Sequence, residues 1–199
     1  MAALVEQAQK LTLSSRAFYN SMFGRFAKQI TEMFGYDMVL PMNTGAEAVE
    51  TSIKLARKWG YEKKGIEDGK AIVLSAAENF HGRTLGIISM STDPSSRGGF
   101  GPYLEGVGPT YQDDGKLRYI NFGEIKDLER ALELYGKHVA AFLIEPIQGE
   151  AGYVHFLQSV RVYSNCSLVL SFPLKVIYPK YKHSARNTMS CSSAMRSRL

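Results

Sequence analysis

The first 150 residues contain no cysteine, and residues 151–199 contain no aspartate or glutamate. With both thiols at Cys166 and Cys191, residues 1–150 can carry neither a disulfide framework nor a thiolate metal centre, which fits a reducing setting. Long apolar runs are also missing. The stretch Ser167–Tyr178 falls short of the ~20 residues that cross a bilayer and is broken by Pro173 and Lys175, so no membrane role is expected. The opening Met1-Ala2-Ala3-Leu4-Val5-Glu6-Gln7 has no basic lead-in and no Arg/Ser-rich amphipathic pattern, so a cytoplasmic site is expected, with the mitochondrial matrix as the alternative. Internal repeats are absent as well. Charge is unevenly spread: seven of the 24 Lys and Arg lie in the acid-free tail, leaving 17 against all 19 Asp and Glu in residues 1–150. The net charge of +5 therefore describes neither part. Seven dispersed cations could give salt-sensitive nucleic-acid binding, but no motif supports it, and no nucleic-acid partner is expected.

What is present is an alternation of helical and extended patterns. Phe23, Phe26, Ile30, Met33 and Phe34 recur at helical spacing over residues 20–34, and this stripe is expected to pack. A second helix is expected to begin near Ala46, with Val49, Ile53, Ala56 and Trp59 buried and a Glu50–Lys54 pair adding ~0.3 kcal/mol. Residues 70–76 and 139–144 are continuous apolar runs of strand length, as in a parallel sheet covered on both faces, and Ile125–Tyr135 reads as a helix between them. The order implies an α/β fold. Residues 93–118, rich in Gly, Pro and Asp, read as a long irregular excursion, and Ser190–Arg198 reads as low-complexity and solvated.

Three polar, glycine-bearing turns stand at expected strand ends: Asn43-Thr44-Gly45-Ala46-Glu47-Ala48, Asn79-Phe80-His81-Gly82-Arg83-Thr84 and Glu145-Pro146-Ile147-Gln148-Gly149-Glu150. The first opens a helix. Its leading backbone N–H groups lack intrahelical acceptors and sit at the positive end of the macrodipole, so they suit a phosphate; the plain alternative is a solvated cap with Thr44 as the capping oxygen. In open α/β sheets ligands collect at the carboxyl ends of the strands, where all three turns are expected.

Together with the sequence between them, these turns resemble the class III pyridoxal-phosphate-dependent aminotransferases of fold type I. Residues 11–20, 54–61 and 91–94 are similar to the ornithine branch of that family, and the resemblance covers about residues 4–152. It implies the first part of a large domain built on a mostly parallel sheet with flanking helices, followed by an unrelated tail over 153–199. It also implies pyridoxal 5'-phosphate as cofactor, with the phosphate on the N–H groups of Gly45 and Ala46, Phe80 against the ring and Glu145 beside it. Arg83 would bind a substrate carboxylate, and Glu150 would pair with a later arginine. His81 is placed as a pocket wall, with a structural role equally open. The implied reaction moves the δ-amino group of L-ornithine to 2-oxoglutarate, giving glutamate semialdehyde and glutamate, in a homodimer.

The family's Schiff-base lysine and its Asp-Glu-x-Gln acid motif have no counterpart in this sequence, and Lys175, Lys180 and Lys182 lie where no resemblance supports them. No catalytic residue is therefore nominated. The chain reads as a shortened or frame-shifted relative without activity of its own; the competing reading is a non-catalytic partial subunit that pairs with an intact aminotransferase.

Overall fold

The computed structural model describes residues 1–15, 17–145, 147–151, 154–155, 169–171 and 175–177. The chain divides into two compact units, Met1–Pro41 and Met42–Leu199. The first contains helices α1 (Ala2–Lys10) and α2 (Ser21–Phe34). Asn20 caps α2 by accepting the N–H groups of Met22 and Phe23 at 3.1 and 2.7 Å, and Gly35 ends it in the left-handed conformation. The helix forms where its apolar period places it, yet it buries none of its residues. Phe23, Phe26, Met33 and Phe34 stay exposed, which corrects the expectation of a packed stripe.

The second unit is built on a five-stranded sheet of order β2-β1-β5-β8-β9, with β1 Ile72–Ser75, β2 Val107–Gly108, β5 Val139–Ile144, β8 Val169–Ser171 and β9 Lys175–Ile177. Pairings β1–β2, β1–β5 and β5–β8 are parallel, while β9 runs antiparallel to β8. The expected parallel sheet is thus present. It also takes in residues past 152, where sequence reading saw little alternation and drew the end of the resemblance. The low-complexity stretch 190–198, with Lys180 and Lys182, lies outside the described residues.

Successive side chains of a strand point to opposite faces, so β5 feeds two cores. Ala141 and Leu143 join Val49, Ile53 and Ala56 of α3 (Gly45–Trp59), Val73 of β1 and Ile87 of the short helix α4 (Leu85–Ile88). Phe142 and Ile144 join Leu128, Ala131 and Leu132 of α6 (Ile125–Tyr135), together with Ile120. Helices cover both faces, which explains why β5 is buried at every position.

The excursion over 93–118 is more ordered than its composition implied. After a one-turn helix α5 (Pro94–Arg97) and β2 comes an antiparallel hairpin of β3 (Thr110–Asp113) and β4 (Lys116–Tyr119). Asp114 and Gly115, at φ 50° and 73°, both lie in the left-handed region, as a two-residue loop matching the right-handed strand twist requires. Arg130 of α6 pins the hairpin with two bonds to Asp113, at 3.0 and 2.8 Å, and these hold the Asp113 carboxyl below its usual range. β6 (Ile147–Gln148) pairs antiparallel with β7 (Val154–His155).

Core and turn variants should separate by size of effect. Leu143→Ala, at a fully buried position, should cost about 2–5 kcal/mol. Gly115→Ala should cost about 1–2 kcal/mol, because only the left-handed turn is strained. Denaturant melts of both variants test this, and equal losses would contradict the layered packing.

Candidate functional site at the strand ends

The carboxyl ends of β1 and β5 are neighbours because the two strands pair in parallel, Ser75 opposite Leu143. Everything that leaves those ends enters one region. The segment after β1, residues 76–80, is held by bonds from five places. Ile120 O accepts the Ala77 N–H at 2.7 Å, and Thr92 Oγ1 accepts the Glu78 N–H at 2.8 Å. The Asn79 side chain donates to Ala76 O and Met90 O at 2.6 and 2.9 Å. Glu145 Oε2 accepts the Phe80 N–H at 3.0 Å, and Gln148 Nε2 donates to Ala77 O at 2.8 Å. Glu78 sits at φ 57°, so these bonds also stabilise a left-handed residue that pays a steric cost.

The turn before α3 reaches the same place. Thr44 and Glu47 form a capping box: the Thr44 hydroxyl accepts the Glu47 N–H at 3.1 Å, while Glu47 Oε2 accepts from Asn43 and Thr44 at 2.8 and 3.1 Å. Three N–H groups are satisfied in this way. Those of Gly45 and Ala46 find no acceptor among the described residues. A Cβ added at Gly45 would meet nothing within 4 Å, so the approach to this helix end is open. The capping reading of Thr44 and the anion reading of the helix end are therefore compatible, since the box leaves two donors over.

Gly82 joins the first turn to the second. Its φ of 131° is closed to L side chains, and an added Cβ would lie 3.4 Å from Ala46 Cβ and 3.0 Å from Ile87 Cδ1. Thr84 donates a very short bond to Glu50 Oε1, and a Cβ at Gly86 would stand 3.0 Å from that carboxylate. Glu50 thus ties α3 to the loop that carries Arg83. Sequence reading had assigned Glu50 to Lys54 on the helix surface; among the described residues it pairs with Thr84 instead, because the loop brings a donor within reach.

The other sequence-predicted residues are placed as follows. Phe80 is 39% exposed and carries the Arg83 guanidinium 5.2 Å from its ring centroid. Glu145, half-buried, has its carboxyl pushed above the usual range by burial; the N–H groups of Phe80 and Gly149 oppose this, and the charge of Glu150 adds to it. Glu150 is exposed and has no ion pair among the described residues. His81 is only 6% exposed, with neither ring nitrogen partnered among the described residues, and burial pulls its pKa from 6.5 to about 4. Sequence reading missed Thr92, Glu50 and Gln148 as members of this region. Gln148 and Thr92 did carry a signal, their places inside segments already singled out, whereas Glu50 carried none.

Acid titration should expose His81. Its unfolded form takes a proton near 6.5 and its folded form only near 4, so stability is complete above 6.5, falls by up to about 3 kcal/mol on going down to 4, and then levels. Glu145, raised in the fold, acts with the opposite sign, losing stability as pH rises past its unfolded value. The difference between wild type and His81→Phe isolates the histidine. Its melting midpoint should depend less on pH between 4 and 6.5, and an unchanged slope would refute the buried neutral imidazole.

Comparison with known proteins agrees with this geometry. The aminotransferase class-III family model matches residues 1–165. The chain is 64% identical over 150 residues to an ornithine aminotransferase of Schizosaccharomyces pombe, covering 75% of this chain and 34% of that protein. It is 54% identical over 165 residues to the mitochondrial ornithine aminotransferase of Arabidopsis thaliana, covering 81% and 33%. Among solved structures, the ornithine aminotransferase of Toxoplasma gondii matches with TM-score 0.73 and 39% identity, over 85% of this chain and 39% of that one. A further structure of that enzyme is described as showing PLP at partial occupancy in its active site. The chain spans about a third of the length of these curated relatives. No helix among the described residues is long and apolar enough to cross a membrane. A family model spanning four-fifths of the sequence, on a sheet whose ends gather all three turns, places this chain among the class III aminotransferases.

Proposed function

We propose that the chain carries the phosphate cradle and the carboxylate-binding arginine of an ornithine aminotransferase, the protein to which its closely similar relatives give their name. The observation that supports this most directly is the close approach of Gly82 to Ala46, which sets two unpartnered helix N–H groups beside the loop of Phe80 and Arg83. Donors, aromatic face and guanidinium fit pyridoxal 5'-phosphate and a dicarboxylic acid. When bound, the cofactor supplies an electron sink for the charge left on a carbon that loses its proton.

The chain's own contributions follow from chemistry. Gly45 and Ala46 would hold the phosphate through main-chain N–H groups, aided by the dipole of α3. Phe80 would press on the ring, its backbone fixed by Glu145. Arg83 would grip the carboxylate of 2-oxoglutarate or glutamate with two parallel N–H bonds. The contact Arg83 makes with Phe80 is a weak cation–π one, and a bidentate carboxylate outcompetes it. Glu150, exposed, would pair with a later arginine, as the resemblance implies. The reaction assigned to the whole protein is transfer of the δ-amino group of L-ornithine to 2-oxoglutarate.

Gly45→Pro tests the cradle. Proline is favoured at the first helical position, Thr44 is already extended at φ −135° and ψ 161°, and no atom lies within 4 Å of the Gly45 Cβ position. The variant therefore loses one N–H with little structural cost. Titrated with pyridoxal 5'-phosphate and followed by absorbance, it should bind roughly tenfold more weakly than the wild-type chain, with an unchanged melting midpoint. Equal affinity would overturn the cradle. The 199-residue chain, having no Asp-Glu-x-Gln motif, should bind without turning over ornithine, and turnover would refute its inactivity.

A second reading, pairing with another aminotransferase subunit as in a homodimer, is favoured by the uncovered apolar face of α2. Light scattering should show association of the wild-type chain that Phe26→Ser weakens. A monomeric wild type at high concentration would dismiss it.

A further inference from the structure

Gln148 is 1% exposed, the most deeply buried long polar side chain among the described residues. Its amide is only half used: Nε2 donates to Ala77 O at 2.8 Å, while Oε1, also buried, has no donor among the described residues. An apolar side chain of the same volume would fill this space and remove the orphan Oε1, but it would leave the buried Ala77 carbonyl without this donor, so packing alone does not account for a glutamine here. What the glutamine adds is a bond to one chosen carbonyl. Ala77 stands two residues past β1, and three residues further on is Phe80, whose N–H is taken by Glu145. Both grips come from the segment that leaves β5, and they hold the two ends of the short stretch 77–80.

The other contacts of that stretch differ in kind. Asn79 reaches Ala76 O from within the turn, and Thr92 and Ile120 hold Glu78 and Ala77 from the two ends of the excursion that follows. Among the described residues, only Glu145 and Gln148 connect it to the end of the neighbouring strand. Of these, Glu145 carries a charge whose state shifts with its surroundings, whereas the amide of Gln148 is neutral at every pH. Gln148 is therefore the fixed point of the pair.

We infer that Gln148 is a positioning residue for the aromatic face of Phe80: by holding Ala77 it sets the backbone that aims the ring at a planar ligand. The inference rests on the reading of Phe80 as the cofactor's stacking partner. It requires no contact between Gln148 and the ligand, and it separates from a purely stabilising role because alignment and stability respond differently to substitution.

The test uses the whole chain with pyridoxal 5'-phosphate as probe. Gln148→Met keeps the volume and removes the orphan acceptor together with the donor to Ala77 O, so the chain should still fold, with its melting midpoint lowered by roughly 2–10 °C. Affinity for the probe should fall about 5- to 20-fold, and the Phe80 amide should exchange its hydrogen faster even without the probe. Gln148→Glu adds a rescue: a buried carboxyl keeps its proton at pH 5 and can donate to Ala77 O, but is ionised at pH 8. Relative to wild type at each pH, its affinity and Phe80 protection should recover at the lower value. Unchanged affinity and exchange in Gln148→Met overturn the inference. If that variant does not fold, absence of the Gln148→Glu recovery overturns it. If wild type itself does not bind the probe, the cofactor reading fails separately, and exchange at Phe80 alone decides whether Gln148 positions the loop.

Discussion

The parallel pairing of β1 with β5 is the constraint from which the rest of the site descends. Two parallel strands end on the same side, so the polar segments that follow them must share space. Backbone amides in such a place cannot all reach water, and each needs an acceptor. The structure supplies these from distant parts of the chain, Ile120, Thr92 and Glu145, while Gln148 donates to the Ala77 carbonyl, so the loop of Phe80 is set by tertiary bonds and not by local turn preference.

The same constraint explains the division of labour among charged groups. Glu47 satisfies the amides that precede α3 and leaves the first two helical N–H groups free. Glu50, one turn later, leaves the helix surface to bind Thr84 and so couples the helix to the arginine loop. Two carboxylates on one helix thus serve opposite ends of the site without competing for its donors. Arg83, by contrast, is held among the described residues only by an aromatic face, which leaves its planar fork available.

The chain belongs to the class III aminotransferases, and the curated relatives it matches are about three times as long. The three turns form a coherent unit within the described residues, since each is tied to another by at least one contact: Gly82 to Ala46, Glu50 to Thr84, Glu145 to Phe80 and Gln148 to Ala77. Charge and hydrogen bonding, and not a disulfide or a metal cluster, hold this region together; no metal-holding group of His, Cys, Asp and Glu occurs among the described residues.

Much of the architecture was readable from residues alone, because periodicity and burial act locally. The apolar period of α2 and α3, the continuous runs of β1 and β5 and the caps at Asn20 and Thr44 each follow from side chains within a few positions of one another. The hairpin at Asp114-Gly115 carried its own signal, an Asp-Gly pair between alternating residues, hidden by the surrounding glycines and prolines. The strands past residue 152 carried none, since three-residue segments have too short a period to recognise. The identities of Gly45, Ala46, Phe80, Arg83 and Glu145 were legible as motifs. The partners of Glu50, the burial of His81, the bond from Gln148 to a carbonyl 71 positions away and the bare face of α2 were decided only by the fold, because each depends on which distant atoms arrive alongside once the chain has closed on itself.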